Sequence, residues 1–190
     1  EALSLLKAGC DVLVLALHEE PLKESEEMEG VAVRRIRLAA GKWPKNQLFQ
    51  TVKYVEFIVR AVLLCRRVDV IHCNDLDTFP AGVIVKMFLN RKVKVVYDAH
   101  EYETETRSMR GIRKKLSQWL ERLLIHRADA VMTVGPAIAD EYVRLYGIPR
   151  PSVVLNTPSY RQTSPNNHFR ERLGIGKDQT IFLYQGGLMT

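Results

Sequence analysis

Short runs of β-branched and other apolar residues alternate along this chain with longer stretches in which apolar positions recur every three or four residues. The short runs predict strands at 12–17, 31–38, 68–73, 93–97, 130–134, 153–155 and 180–184. Most are continuously apolar rather than alternating, as strands covered on both faces are. Between them Leu48, Val52, Val55, Val59 and Val62 fall at helical spacing, as do Ile112, Leu116, Leu120 and Leu123, and Ile138, Tyr142 and Leu145. Each set is expected to be the core-facing stripe of a helix. Helix stops are expected at Gly9 and at Gly147, the latter followed by Pro149. Strands alternating with helices imply the α/β class, with a doubly wound parallel sheet wrapped by helices.

A length of 190 residues is enough for one buried core and too little for two full domains. The chain opens on Glu1 inside a helical pattern, the polar stretch 161–168 reads as a linker, and the run 180–184 leads into Gln185, Gly186 and Gly187. The expected organisation is a first domain over 1–160 whose first strand and turn precede Glu1, a linker and domain entry over 161–178, and the start of a second domain over 179–190. The apolar stretch 55–65 is interrupted by Glu56 and Arg60 and flanked by Lys53 and Arg66, so it does not suit a bilayer span. No leader pattern is present, and Cys10, Cys65 and Cys73 lack metal-type spacing, so a reduced, cytoplasmic protein is expected.

A formal net charge of +6 favours anionic partners: nucleotides, phospholipid surfaces or nucleic acid. Much of the excess lies in Arg107, Arg110, Arg113, Lys114 and Lys115, just ahead of Leu116, Trp119, Leu120 and Leu123. Such a segment could dock peripherally on an anionic membrane at its inner face, or be a core helix with a solvated basic start. The cations flank the apolar stripe without extending along one polar face, which favours the core helix. No nucleic-acid partner is expected, because no platform of aromatic and basic residues lies on the strands.

In open parallel sheets ligands bind beyond the carboxyl ends of the strands. The residues there are His18 and Glu19, Asn74 and Asp75, Asp98, His100 and Glu101, Gly135, Asn156, and Gly186 with Gly187. Asn, Asp and Gly also favour turns for backbone reasons alone, which is the competing explanation for Asp75, Gly135 and Asn156. The segment from Asp98 to Tyr102 is the best candidate, because a histidine between two acids at a strand end has no obvious packing role. A neutral imidazole there could donate to a sugar hydroxyl or a phosphate oxygen while a neighbouring carboxylate fixes its tautomer. The alternative is a His100 paired with Asp98 or Glu101 to hold the loop. His72, inside its strand, reads as a satisfied core histidine. No His or Cys pair has ligand spacing, so no metal is expected. No Gly-x-Gly-x-x-Gly turn follows any strand, which argues against a nicotinamide-dependent dehydrogenase.

The runs 69–82 (DVIHCNDLDTFPAG), 96–105 (VYDAHEYETE), 127–142 (RADAVMTVGPAIADEY), 153–158 (VVLNTP) and 183–188 (LYQGGL), each astride a predicted strand end, together resemble the N-terminal half of family 4 glycosyltransferases. The resemblance covers nearly the whole chain. It implies the GT-B architecture, two Rossmann-like domains facing a cleft, the first binding mainly acceptor and the second mainly nucleotide sugar. It implies transfer of a sugar to an acceptor hydroxyl, retaining and metal-independent, in glycan or cell-envelope polysaccharide synthesis. No cofactor is implied beyond a donor such as a UDP- or GDP-sugar, and the acceptor would be a glycan or lipid-linked. On this resemblance His100 matches the histidine close to the transferred sugar, with Glu101 beside it at the catalytic centre. Asn74, Asp75, Asp98 and Asn156 fall on the acceptor side, and Gly186 and Gly187 match the glycine turn opening the donor domain. The family's basic pair and two glutamates would follow Thr190, so these 190 residues alone are expected not to catalyse transfer. Two other functions fit the same residues: a nucleotide-sugar epimerase of the same architecture, and a non-catalytic sugar- or nucleotide-binding domain.

Overall fold

Four of the apolar runs line up as one all-parallel sheet. In the computed structural model, which describes residues 1–44, 46–99, 112–157, 162 and 166–183, β4 (Val70–Asn74), β5 (Lys94–Ala99), β6 (Ala130–Thr133) and β7 (Ser152–Val153) lie in the order β4-β5-β6-β7. The register sets Asn74 opposite Asp98, Asp98 opposite Met132 and Ala99 opposite Thr133, so the carboxyl ends of three strands share one edge.

A second sheet contains β1 (Leu13–Leu17), β2 (Ser25–Met28) and β3 (Val31–Ile36) in the order β1-β3-β2. Here β1 is parallel to β3, and β2 is antiparallel to it. The β2 strand is missing from the sequence-based expectation because Ser25, Glu26 and Glu27 offer no apolar run; it is a polar edge strand held partly by Glu26 against Arg35 at 2.5 Å. The turn into β3 uses positive φ at Glu29 and Gly30, 52° and 85°, where glycine spares the cost of a side chain. Residues 180–183, expected to be a strand, are not in one.

The helices start and stop for local reasons. In α1 (Ala2–Lys7) the chain turns at Gly9, φ 86°, and Cys10 N–H donates to the Leu5 carbonyl. The start of α2 (Gln47–Cys65) is capped by the Asn46 side chain, which accepts from Phe49 N–H at 3.0 Å. α3 (Asp75–Ile84) runs on into one π-helical turn, Val85–Leu89, and α4 (Ile112–Leu124) into a 3-10 turn, Ile125–Arg127. α5 (Pro136–Tyr146) begins with Pro136 and ends at Gly147, φ 64°, whose N–H reaches the Val143 carbonyl. The chain falls into two compact units, Glu1–Asn156 and Thr157–Thr190. The described part of the second contains α6 (His168–Leu173), within the stretch read as linker and domain entry.

The core of the first unit lies where α3 and α5 meet the four-stranded sheet, with α2 packed on α3. Ile71, Cys73, Val95 and Tyr97 are buried against Phe79, Val83, Tyr142 and Tyr146, and Phe79 stacks on Tyr97 at a centroid separation of 4.3 Å. Gly82 lets α3 approach the sheet: a Cβ there would lie 2.6 Å from Cys73 Sγ and 3.2 Å from a Val95 methyl.

Two of the predicted core stripes are turned largely outward, although Val62 of the α2 stripe is in the core. In α2 the buried residues are Ile58, Ala61 and Val62, while Leu48, Val52, Val55 and Val59 are exposed. This helix is apolar on nearly every side, so spacing alone could not choose the inward face. In α4 Leu116 and Leu123 are exposed and Leu120 is half-buried, because the inward position belongs to Glu121. Glu121 is 2% exposed. Its Oε1 accepts from the Tyr97 and Tyr142 hydroxyls at 2.7 and 2.6 Å, and its Oε2 from Tyr146 at 2.6 Å. Burial, reinforced by this carboxylate, holds the Tyr97 and Tyr142 hydroxyls far above their ordinary range, so both remain donors.

Candidate functional site

The DVIHCND segment fills β4 and then opens α3, which delivers Asn74 and Asp75 to the carboxyl edge of the parallel sheet. Asn74 is exposed, and its side chain makes no capping bond to the helix; its carbonyl accepts from Thr78 Oγ1 at 2.6 Å. Asp75 turns the chain with a left-handed φ of 61°, a conformation that Asp tolerates and most residues resist.

Beside Asn74 in the register, Asp98 is 2% exposed. Its Oδ2 lies 3.1 Å from His72 Nε2, and the acceptor-only carboxylate requires that nitrogen to carry the hydrogen. His72 is therefore satisfied, as expected, though half-buried rather than within the core. The Glu1 carboxylate lies 3.7 Å from the same nitrogen. Glu1, His72 and Asp98 offer ligand atoms within 4.8 Å of one another, the one grouping among the described residues that could hold a metal ion. The contact between His72 and Asp98 is a hydrogen bond that needs no ion.

Further along the same edge, Thr133 ends β6 with a buried hydroxyl that has no hydrogen-bond partner among the described residues. Gly135 then precedes α5 in extended backbone, φ −159°, and a Cβ there would have its nearest neighbour at 4.0 Å. Neither the turn nor the packing requires glycine there. Asn156 is exposed beyond β7, and in the sheet order β6 lies between β7 and β5. On the other sheet His18 follows β1 and is bonded to the Leu22 carbonyl at 2.9 Å.

The register thus sets Asn74 beside Asp98, with Asp75 next in the chain, and Asn156 follows β7, two strands along from β5. His100, Glu101, Gly186 and Gly187 lie outside the described residues. The sequence reading passed over Tyr54 on α2, a residue still 37% exposed, whose hydroxyl is pushed up to about 12 by the partial burial of its ring and then by the charge of Asp77 in the first turn of α3. It keeps its proton and can donate at neutral pH. The only trace of this in the sequence is Asp77 two residues after Asp75, which does not point to a tyrosine in another helix.

The family described as "glycosyl transferase 4-like domain" matches residues 2–158. No curated protein sequence matches the chain significantly. Among solved structures, a sucrose-phosphate synthase from Thermosynechococcus elongatus superposes with a TM-score of 0.67 at 17% identity, covering 93% of this chain and 46% of that one. A second sucrose-phosphate synthase structure from the same organism gives 0.56 at 18% identity, covering 91% of this chain and 87% of that one. The chain therefore spans just under half the length of the first of these proteins. Its all-parallel four-stranded sheet flanked by helices is the Rossmann-like arrangement of a GT-B domain. With the match running from residue 2 to residue 158, the chain belongs to the glycosyl transferase 4-like domain family.

Proposed function

We infer that this chain is the acceptor-side part of a glycosyltransferase that moves a sugar, of the hexosyl type, from a nucleotide-sugar donor to an acceptor hydroxyl. The observation that carries this reading is the family match over residues 2–158. The reading includes a UDP- or GDP-sugar as donor, a glycan or lipid-linked acceptor, retention without a metal, and a role in cytoplasmic glycan or cell-envelope polysaccharide synthesis. The organisation proposed with it is an acceptor domain over 1–160, a linker and domain entry over 161–178, and a donor domain beginning at 179.

Chemically, the bond from the sugar's anomeric carbon to the diphosphate oxygen breaks, and a bond from that carbon to the acceptor oxygen forms. The acceptor's proton leaves with the departing phosphate or passes to a neighbouring base. The transition state needs the acceptor oxygen held in place and the leaving charge stabilised. In this reading the carboxyl edge does the first. Asn74 offers an exposed amide that can both donate to and accept from a sugar hydroxyl. Asp75 can accept from one, Asn156 adds a second amide, and Asp98 acts at the same edge through its bond to His72. His100 and Glu101 are assigned to the transferred sugar, and Gly186 and Gly187 to the donor diphosphate, where bare backbone can approach closely.

The test is turnover of a panel of nucleotide sugars by the full-length protein, measuring released nucleotide with and without candidate acceptors. Acceptor-dependent release is expected. A sugar isomerised while still attached to its nucleotide would replace transfer with epimerisation, and a donor neither consumed nor bound would leave a non-catalytic binding domain.

A further inference from the structure

The outward face of α4 carries an apolar stripe with cations at its margin. Leu116, Trp119 and Leu123 stand at i, i+3 and i+7 on one side of the helix and are 60%, 60% and 56% exposed. Lys115 and Arg122, each one residue ahead of a stripe leucine, are exposed along one margin of it. Arg113 and Lys114 belong to the first turn, so the helix holds four cations in all. Its only acid is Glu121, buried under the three tyrosine hydroxyls. The outward face of α4 therefore combines apolar surface with positive charge and contributes no carboxylate of its own.

The exposed stripe of α2 lacks this charge pattern. There the Lys53 ammonium bonds the Gly41 and Trp43 carbonyls, and Arg60 is paired with Glu56. Among the described residues Lys115 on α4 has no ion-pair partner, and Arg122 bonds the Leu145 carbonyl and no carboxylate. A helix lying in a membrane interface presents apolar and aromatic side chains to the acyl boundary and Lys or Arg to the headgroups. Trp is favoured at that depth, and anionic lipid attracts each nearby cation.

We propose that the Leu116, Trp119 and Leu123 face of α4 docks in the plane of an anionic phospholipid surface, with Lys115 and Arg122 at the headgroups. The proposal does not rest on the transfer reading, since its test uses neither donor nor acceptor.

The test uses the full-length protein with Trp43→Phe and any tryptophan beyond Thr190 also replaced, so that Trp119 alone reports, and vesicles of phosphatidylcholine with or without phosphatidylglycerol. Co-sedimentation is expected to be at least about tenfold greater with the anionic vesicles and to weaken as salt rises. Trp119 emission is expected to shift to the blue only when they are present. The Leu116→Ser, Leu123→Ser double variant, which changes exposed side chains only, is expected to lose binding by about tenfold with an unchanged circular dichroism spectrum. Equal or absent binding to both vesicle types would overturn the proposal, as would binding that leaves Trp119 emission unmoved. An emission already blue-shifted without vesicles would overturn it too, because the stripe would then be covered by another part of the chain or by a second copy.

Discussion

The helices α3 and α4 flank the same four-stranded sheet and hold to it by opposite means. The first lies close because Gly82 removes a side chain at the contact, and Phe79 and Val83 fill the space beside it. In α4 the deepest position is a carboxylate, Glu121, bridged by three phenols from β5 and α5, while three of its large apolar residues point outward. Helical spacing of apolar residues therefore identifies a helix without saying which face is buried. In α3 the apolar face is the buried one. In α4 a hydrogen-bonded acid has taken that place.

Removing the acid is the most disruptive way to break this contrast. Glu121→Ala leaves three buried hydroxyls without their acceptor and is expected to cost about 3 kcal/mol in urea unfolding, with Glu121→Gln losing less. An unchanged midpoint for Glu121→Ala would mean that α4 is held by something else. Next comes Gly82→Ala, where a methyl 2.6 Å from Cys73 Sγ forces α3 away from the sheet and is expected to cost about 2 kcal/mol.

A smaller effect is expected where Asp129 ties the sheet to the π-helical turn. Burial alone would raise its carboxyl, but bonds from Lys86, Val95 N–H and Lys94 outweigh it and hold it at about 2, against an ordinary 3.8. A depressed folded value means that the stabilisation is complete above about pH 4 and is lost as pH falls through about 2. Asp129→Asn should cost about 1–2 kcal/mol at pH 7 and nothing near pH 2, so two parallel stability curves would contradict the assignment. Least of all, Leu116→Ser with Leu123→Ser should change stability by no more than about 0.5 kcal/mol, because both side chains are already in solvent. A loss above about 2 kcal/mol would show instead that the stripe is packed.

The fold was legible where local chemistry decides it. The runs that became β4, β5 and β6 are apolar but for Asp69, His72, Lys94 and Thr133, and Gly9 and Gly147 stop their helices with the positive φ they suggested. What could not be read depended on partners distant in sequence. The edge strand β2 is polar, and the inward face of α4 is set by Tyr97, Tyr142 and Tyr146, none of which is near Glu121 in sequence. The site divides in the same way. Asn74, Asp75 and Asp98 could be assigned to one edge because strand ends in parallel sheets share it, and the register aligns them. The bond between His72 and Asp98 joins residues 26 apart and needed the structure.

The most direct measurement is steady-state kinetics of Asn74→Ala in the full-length protein, with donor and acceptor varied separately. Asn74 is exposed and caps nothing with its side chain, so the fold should survive the change. If the carboxyl edge of the parallel sheet is the acceptor side of a glycosyltransferase, KM for the acceptor should rise by about tenfold while KM for the donor stays within about twofold. A rise confined to the donor, or no change in either, would contradict that assignment.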